Sequence, residues 1–484
     1  MGGHLSRREL LQRAGLAALG AAGVYGAVDS LAAAPARAAA ESAALPPEQH
    51  LLQGTRVIVD DGVLVNVPPL HHQVVTAELT VGASRSELTD ARQTLERALS
   101  SIEARHTPTP SGLGIVIAWG THYFRRYVPR LHGTPYPAYL PVDRQASHVA
   151  GKTVGAFFDI ERFPSDPAET RLERNDVCVV LQSDVLSKIT EESTVLFEKL
   201  SGLLRITSVR RGFVGGGFDG GRSLPKRMAM QAHIAGAGSI PERAQLFLGF
   251  TSTQHASLGP DRIANLETLP GLTDQWPDGY FKHGTTLHLS HIREEVELWY
   301  QTNFFVDRVW LATDLSRAAN NVFEGTLTLP EGPGNVQTEQ LVEQFATDPD
   351  HGLVGHSASM QPVNRLFAPV VDNYGTPRRK GTAILQRVDF NTLDNPFYWT
   401  ARPATDRQSS TPAAGLHFLA FSPTTDLFRR MRLAMDGRYA DGVTLPITAR
   451  SPRMGLNGVL ATTHRQQFLV PPRRHRSFPL SELL

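Results

Sequence analysis

Along the chain, apolar positions recur first with the spacing of a strand and then with that of a helix. Residues 74–81 form a β-branched, partly alternating run that predicts a strand. Ser84 and Glu87 then stand three residues apart, which is the capping-box pattern of a helix start. Residues 113–119 are the next predicted strand, followed by a predicted loop at 120–126. The apolar positions of the intervening helix fall on one face: Leu88, Ala91, Leu95, Leu99 and Ile102.

The same order returns in the next part of the chain. Residues 177–181 and 204–209 are predicted strands. The helix predicted between them has one apolar face, made of Val185, Ile189, Leu196 and Leu200. Two β-α-β units in succession predict a split, ferredoxin-like α+β unit with an antiparallel sheet.

The second half of the chain repeats this plan, which indicates an internal duplication of architecture. A long irregular region, residues 327–377, lies within it, and long ordered loops in compact domains usually serve function. This region contains a short polar run with one histidine, His356. Strands are predicted at 246–253, 285–290, 383–390 and 416–421, with helix faces at Ile292, Val296 and Trp299, and at Leu427, Met431 and Ala434 after capping threonines 424 and 425.

Composition adds limits to this picture. The 484 residues are 41% hydrophobic and 20% charged, as in soluble globular proteins. A net charge of +1 does not suggest binding to nucleic acid or a broad membrane-binding surface. The basic cluster Arg473–Arg476 is predicted to belong to a solvated tail. The single cysteine, Cys178, stands in an apolar run and excludes an intramolecular disulfide and an iron–sulfur cluster.

The N-terminus has the pattern of an export signal. Arg7 and Arg8 precede a mild apolar run at 14–28, and small residues fill positions 36–40. We expect a twin-arginine signal peptide that is removed near Ala38–Ala40. This route exports folded proteins and suits a chain that takes up a cofactor in a reducing compartment. The expected destination is the cell envelope or the exterior.

These observations divide the chain into five parts. The predicted boundaries are a signal peptide at 1–40, a linker and mature start at 41–69, a first half at 70–225, a second half at 226–445 and a tail at 446–484.

Several short runs, taken in order, resemble the dye-decolorizing (DyP-type) peroxidases, a haem family. The resemblance implies an α+β fold of two ferredoxin-like halves, of the dimeric α/β-barrel type, with haem b as cofactor. It places His356 at the proximal iron ligand, and a neutral imidazole nitrogen suits that role. The matching runs lie at 71–73, 112–127, 158–159, 175–184, 246–250, 284–299 and 415–421.

On the distal side the resemblance implies an acid–base group and a cation, which assist cleavage of the peroxide O–O bond. Phe250 falls beside the haem, and Ser252 stands where the family has an aspartate. Gln386 stands where the family has an arginine, and Arg387 follows it. Successive side chains of a strand point to opposite faces, so Arg387 is expected to point away from the site unless a bulge re-aims it.

Other acids could replace the missing aspartate. Asp219 lies in a literal G-x-x-D-G run, for which a glycine-rich turn is the alternative interpretation. His255 and Asp278 are further candidates. His283, His288 and His291 stand close in sequence but lack the paired spacing of a zinc site.

The expected function is peroxide-dependent oxidation of a reducing substrate of unknown identity, with Arg387, Ser252 and Asp219 as candidate catalytic residues. His356, Gln386 and Phe250 are the candidate haem-binding residues. The alternative is a pseudo-peroxidase that acts as a haem-binding or structural extracellular protein. Expected partners are peroxide, the reducing substrate, the twin-arginine export machinery and a second copy of the chain.

Overall fold

The strand Thr285–Glu294 pairs along its length with the strand Leu460–Val470, and this pairing closes the main sheet into a barrel. It is seen in a computed structural model, which describes residues 23–32, 45–60, 63–215, 221–249, 262–302, 363, 365–366, 368–380, 382–395, 399–400, 411–438, 442, 444 and 455–484. The main strands are β1 (His71–Leu79), β2 (Gly114–Gly120), β3 (Val177–Ser183), β4 (Leu204–Phe213), β5 (Thr285–Glu294), β6 (Gln386–Arg387), β7 (Phe390–Thr392), β8 (Gly415–Ser422) and β9 (Leu460–Val470).

Helices lie between these strands, and short strands decorate the loops. The helices are α1 (Arg85–Glu103), α2 (Thr121–Tyr127), α3 (Arg144–Ala150), α4 (Leu186–Lys199), α5 (Leu224–Gln231), α6 (Val296–Thr302) and α7 (Thr425–Met435). The short antiparallel pairs are Arg56–Asp60 with Val63–Val67, Arg130–Leu131 with Thr134–Pro135, Val142–Asp143 with Val154–Gly155, and Val370–Val371 with Pro377–Arg378.

The strands close into an antiparallel β-barrel. Around the ring the order is β1-β3-β2-β9-β5-β8-β7-β4, and β4 pairs with β1 again. The closing contact is the long β5–β9 pairing, which runs from Thr285↔Val470 to Glu294↔Leu460. A closed barrel has no exposed strand edges, so the face to which each side chain points is fixed by its register.

The two halves of the barrel share one strand order. In the first half the order is β4-β1-β3-β2, and in the second it is β9-β5-β8-β7. In both, the first strand lies between the fourth and the third. A helix follows the first strand and the third strand of each half: α1 and α4, then α6 and α7.

Alternation along the strands produces two cores. The inward positions fill the barrel with apolar side chains, among them Val74, Val180, Leu287, Phe421 and Phe468. The outward positions of the first half pack against α1, α2 and α4. The capping box at the start of α1 is confirmed: the Ser84 hydroxyl accepts a hydrogen bond from the Glu87 N–H, and the Glu87 carboxylate accepts one from the Ser84 N–H.

Three local predictions are wrong. Residues 121–127 form α2 and not a loop, because Tyr123, Phe124 and Tyr127 recur with helical spacing and are buried. Residues 246–249 form a turn and not a strand; Phe247 and Leu248 are buried there without strand pairing. Ile292 belongs to β5 and not to a helix, because both neighbouring strands extend the pairing as far as Arg293.

The C-terminal region is also not a solvated tail. Residues 460–470 form β9, which completes the barrel, and Arg476 is buried. The Arg476 guanidinium donates to Glu96 at 2.7 Å and to Glu103 at 2.6 Å on α1. Arg476 thus pairs with acidic residues of a helix that is distant in sequence. The sequence alone does not reveal this pairing.

Residues 23–32, which include the end of the predicted signal sequence's apolar run, pack against the barrel. Tyr25 is fully buried, and its hydroxyl donates to the Asp394 carboxylate at 2.8 Å. The same hydroxyl accepts from the Leu393 N–H at 2.9 Å and lies 3.0 Å from the Thr392 hydroxyl. Asp29 Oδ1 lies 2.7 Å from the His71 Nε2, within hydrogen-bond distance. Among the described helices, none combines the length and the apolar character needed to cross a bilayer.

We expect Tyr25→Phe, in the chain that retains residues 1–40, to lower the free energy of unfolding by about 1–3 kcal/mol, because it leaves buried polar groups without a partner. Tyr123→Phe loses a single bond to a backbone carbonyl and should cost less. Urea unfolding of the three proteins measures both effects. An unchanged midpoint for Tyr25→Phe would show that this segment does not pack as described.

Candidate functional site

The candidate site residues from the sequence fall into two groups. Asp219, Phe250, Ser252 and His356 lie outside the described residues, as does His255. Gln386 and Arg387 are described, and both are buried. The described part of the candidate site therefore consists of these two residues and the side chains around them.

Gln386 and Arg387 point to opposite faces of the barrel wall. Gln386 stands opposite Phe421 of β8, whose ring belongs to the core inside the barrel. Arg387 stands opposite Ala420, which packs outside the barrel against α7. Directly opposed residues of an antiparallel pair share a face, so Gln386 lies inside and Arg387 outside.

Arg387 shares the outer face with an acidic residue. Asp389 lies two positions further on in the same register and therefore points to the same side. The Arg387 Nε and Asp389 Oδ1 atoms are 4.0 Å apart, and both side chains are buried. The pair places a guanidinium and a carboxylate together beneath the outer surface of the second half.

Glu294 adds a second carboxyl group near this pair. It ends β5, where its N–H donates to the carbonyl of Ala414, and its side chain is 6% exposed. Burial, and then the negative charge of Asp389, raises the pKa of Glu294 to about 8. Its Oε2 has no hydrogen-bond partner in the described part of the chain. Glu294 is therefore neutral at pH 7 and can donate a proton from a dry environment.

Another part of the outer face of the second half packs against α7. His288 stacks on Phe428 of α7 with ring centroids 3.4 Å apart and planes inclined by 17°. Burial holds the pKa of His288 well below its usual value, with the charges of Arg465 and Arg432 acting in the same direction. His288 is thus a neutral packing residue, and the polar cluster lies elsewhere on this face.

Further histidines line the inside of the barrel. His291 faces His417 on β8 and His464 on β9, which makes a row across three neighbouring strands. Burial holds the pKa values of His291 and His417 well below the usual range. His283, His288 and His291 point to three different places: the end of the barrel, its outside and its inside.

Asp389 and Glu294 are not among the candidate residues predicted from the sequence. Asp389 could have been found, because alternation from Arg387 places it on the same face. Glu294 could not, because the apolar positions after residue 290 predict a helix there and its burial depends on pairing with distant strands.

The fold and this cluster define a class: a closed antiparallel β-barrel with outer helices and a buried acid–arginine group on its outer wall. The chain belongs to a family of unknown function, DUF7405, whose profile matches residues 69–472. A search of curated proteins finds no match.

Solved structures with some likeness to this chain are DyP-type peroxidases. An encapsulated DyP-type peroxidase from Mycobacterium smegmatis shares 14% identity over 85% of this chain and 95% of its own, with a TM-score of 0.45. A putative DyP-type peroxidase from Shewanella oneidensis shares 13% over 85% and 94%, with a TM-score of 0.47. A DypB variant from Rhodococcus jostii RHA1 in complex with heme shares 14% over 85% and 96%, with a TM-score of 0.45. These TM-scores lie below 0.5, so the likeness does not establish a function.

The raised pKa of Glu294 predicts a specific pH dependence of stability. Its folded pKa of about 8 exceeds the ordinary 4.5, so the folded state holds an extra proton between these values. The free energy of unfolding therefore falls as pH rises through this window and changes no further above it. Burial and the negative charge of Asp389 set the size of the effect.

We expect wild type to lose up to about 4 kcal/mol more than Glu294→Gln between pH 5 and pH 8, at roughly 1.4 kcal/mol per unit of pKa shift. Urea unfolding at both pH values measures the difference. Parallel pH profiles for the two proteins would show that Glu294 is ionised at neutral pH.

Proposed function

We propose that this protein binds haem against the outer wall of the second half of its barrel and catalyses peroxide-dependent oxidation. The observation that carries the proposal is the grouping of Arg387, Asp389 and a neutral Glu294 on one buried face. The sequence resemblance of short runs to DyP-type peroxidases supports it from an independent direction. The matching strand orders of the two barrel halves support the further proposal that each half is ferredoxin-like.

The described residues fit the distal side of a haem. Peroxide chemistry needs a proton source and a fixed positive charge. On this face the Glu294 carboxyl group can supply the proton and the Arg387 guanidinium the charge. The Glu294 Oε2 has no hydrogen-bond partner among the described residues, so a bound group could supply one. His356 would supply an imidazole nitrogen to the iron, and Phe250 would contribute to haem binding. When bound, haem supplies the redox-active iron at which peroxide is reduced.

The roles of this chain's own residues follow from their charges. Glu294 would hold a proton at a carboxyl oxygen and give it to the peroxide oxygen that leaves as water, and the resulting carboxylate would take up the proton that the other peroxide oxygen loses. Arg387 is a fixed cation that stabilises negative charge as the O–O bond lengthens. Asp389, 4.0 Å from the Arg387 Nε, positions the guanidinium. Ser252 and Asp219 stay candidates for additional proton transfer, and Gln386, which lies inside the barrel, is a less suitable haem contact.

A second function is favoured by one observation: Ser252 stands where the resemblance implies an aspartate. In this alternative the protein binds haem without turnover and acts as a carrier or a structural protein outside the cytoplasm. The two functions differ in whether a haem-loaded protein consumes peroxide.

We also propose export by the twin-arginine route. Removal of residues up to Ala38–Ala40 would take Tyr25 out of its buried position beside Asp394. The intact mass of the exported protein tests this: a mature chain starting near residue 40 supports processing, and a full-length mass excludes it.

An absorption spectrum of protein purified under haem-replete conditions tests haem binding directly. Wild type should show a Soret band, and His356→Ala should lose or strongly shift it, because the imidazole nitrogen that would hold the iron is removed. Absence of a Soret band from both proteins would exclude the haem proposal.

In haem-loaded protein, Glu294→Gln should lower kcat for peroxide-dependent oxidation by about 10²–10⁴, the usual size of general acid catalysis. Arg387→Leu should lower it by about 10²–10³. Arg429→Gln, at a partly exposed arginine on α7, is the matched control and should change little. Haem binding with no turnover in wild type would favour the carrier function. Full activity in both site variants would exclude the assigned roles.

A further inference from the structure

A second cluster of buried acids lies at the start of β5, at the opposite end of that strand from Glu294. Glu48 comes from the segment ahead of β1, and Glu267 precedes β5 in the chain. His283 lies in the turn that leads into β5. With a rise of about 3.3 Å per residue along the strand, the two clusters are on the order of 30 Å apart. This cluster is therefore separate from the site described above.

The polar atoms of this cluster have the spacing of metal ligands. The His283 Nδ1 lies 3.3 Å from Oε1 of Glu48 and 3.4 Å from Oε1 of Glu267. The Asn265 Nδ2 lies 3.4 Å from each of the same two oxygens. In a tetrahedral zinc site with bonds of about 2.0–2.1 Å, the ligand atoms stand about 3.4 Å from one another. These four separations match those expected between neighbouring ligand atoms of such an ion, and the ligand atoms of Glu48, Glu267 and His283 all lie within 4.8 Å of one another.

Three buried oxygens of the cluster lack partners. Glu48 and Asn265 are 0% exposed and Glu267 is 1% exposed. Oε2 of both carboxylates and Oδ1 of Asn265 have no hydrogen-bond partner among the described residues. If the Asn265 amide turns over, its Oδ1 takes the place of Nδ2 and faces both carboxylates. The amide would then become a third oxygen ligand beside the imidazole nitrogen.

Neighbouring groups hold the cluster in position. The Tyr374 hydroxyl donates to Oε1 of Glu267 at 2.8 Å and lies 3.2 Å from the His283 Nδ1. The Arg262 Nε donates to Oε1 of Glu48 at 2.9 Å. His283 has a φ of 70°, a left-handed conformation that is uncommon for a residue other than glycine. Outer hydrogen bonds and local strain of this kind are typical of preorganised ligand sites.

We propose that Glu48, Glu267, His283 and Asn265 bind a divalent cation, with Zn²⁺ as the best geometric match. The donor set of carboxylate and amide oxygens with one imidazole nitrogen, and no thiolate, suits a first-row divalent metal. The His283 side chain is 21% exposed, so the ion has a route from solvent on that side. In the described part of the chain, no second group of three histidine, cysteine or acidic residues has its ligand atoms as close together.

The cluster also has a stable arrangement without a metal. Hydrogen bonds to Glu267 and Glu48 raise the pKa of His283 to about 9. A charged imidazole together with Arg262 would then balance the two carboxylates as an ion-pair network. This is the alternative that the experiment must separate from a cation site.

Calorimetric titration of the purified full chain with Zn²⁺ tests the proposal. We expect one equivalent to bind to wild type, and binding to weaken in Glu267→Gln by more than the roughly 10–100-fold that loss of an outer-shell partner costs. His283→Asn should show the same loss, and asparagine tolerates the left-handed backbone at this position. Zn²⁺ should raise Tm in wild type and in neither variant. Circular dichroism confirms that each variant is folded.

Glu482→Gln is the matched control. Glu482 accepts a hydrogen bond from the Tyr280 hydroxyl at 2.7 Å and lies 3.3 Å from the His475 Nδ1, so it repeats the tyrosine and histidine contacts of Glu267. It belongs to no group of three close metal-type ligands in the described residues, so this variant should bind Zn²⁺ as wild type does. Absence of stoichiometric Zn²⁺ binding in wild type, or equal binding in wild type and His283→Asn, would overturn the proposal and leave an ion-pair network.

Discussion

The pairing of β5 with both β8 and β9 is the contact on which the rest of the structure depends. It closes the barrel, and closure fixes which face every side chain occupies. Arg387 lies on the outer wall and Gln386 inside because β6 pairs in register with β8, which β5 holds in place. The same strand carries Glu294 at one end and receives the chain from His283 at the other. Both proposed sites therefore derive their geometry from one strand that is held on both sides.

Buried charged residues differ in how closely they are paired, and this difference distinguishes structural residues from candidate functional ones. Arg465 pairs with both oxygens of Asp166 at 2.8 and 2.7 Å, and Arg210 contacts both oxygens of Glu173 at 2.6 Å. Such bidentate pairs offset the cost of removing charges from water. Glu294 lacks this compensation and keeps its proton instead. A buried carboxyl group with a raised pKa and no close cationic partner among the described residues is a candidate functional group.

Much of the fold could be predicted from local pattern. The capping box at Ser84, the apolar face of α1 and the buried runs of β1 and β3 follow from residue types close in sequence. Strand β9 could not be predicted, because several of its polar side chains, Arg465 among them, are buried by partners about 300 positions away. The apolar residues at 246–249 gave the opposite error: they are buried without strand pairing.

The candidate site was also predictable only in part, because its residues come together through contacts between segments distant in sequence. Strand alternation correctly predicts that Gln386 and Arg387 point to opposite faces. It does not predict which face also carries the acidic residues. Glu294 becomes a candidate only when β5, β7 and β8 are placed side by side. The cluster of Glu48, Glu267 and His283 joins segments that share no motif, so no sequence pattern could have found it.

The central claim is that a neutral Glu294 serves a cofactor on the outer wall of the barrel. Infrared spectroscopy of the carboxyl C=O stretch tests this most directly, because it detects the protonated acid itself. We predict that the wild-type minus Glu294→Gln difference spectrum near neutral pH contains a protonated-carboxyl band, and that this band shifts when haem is added. A wild-type spectrum without this band, or a band that haem leaves unchanged, would contradict the claim.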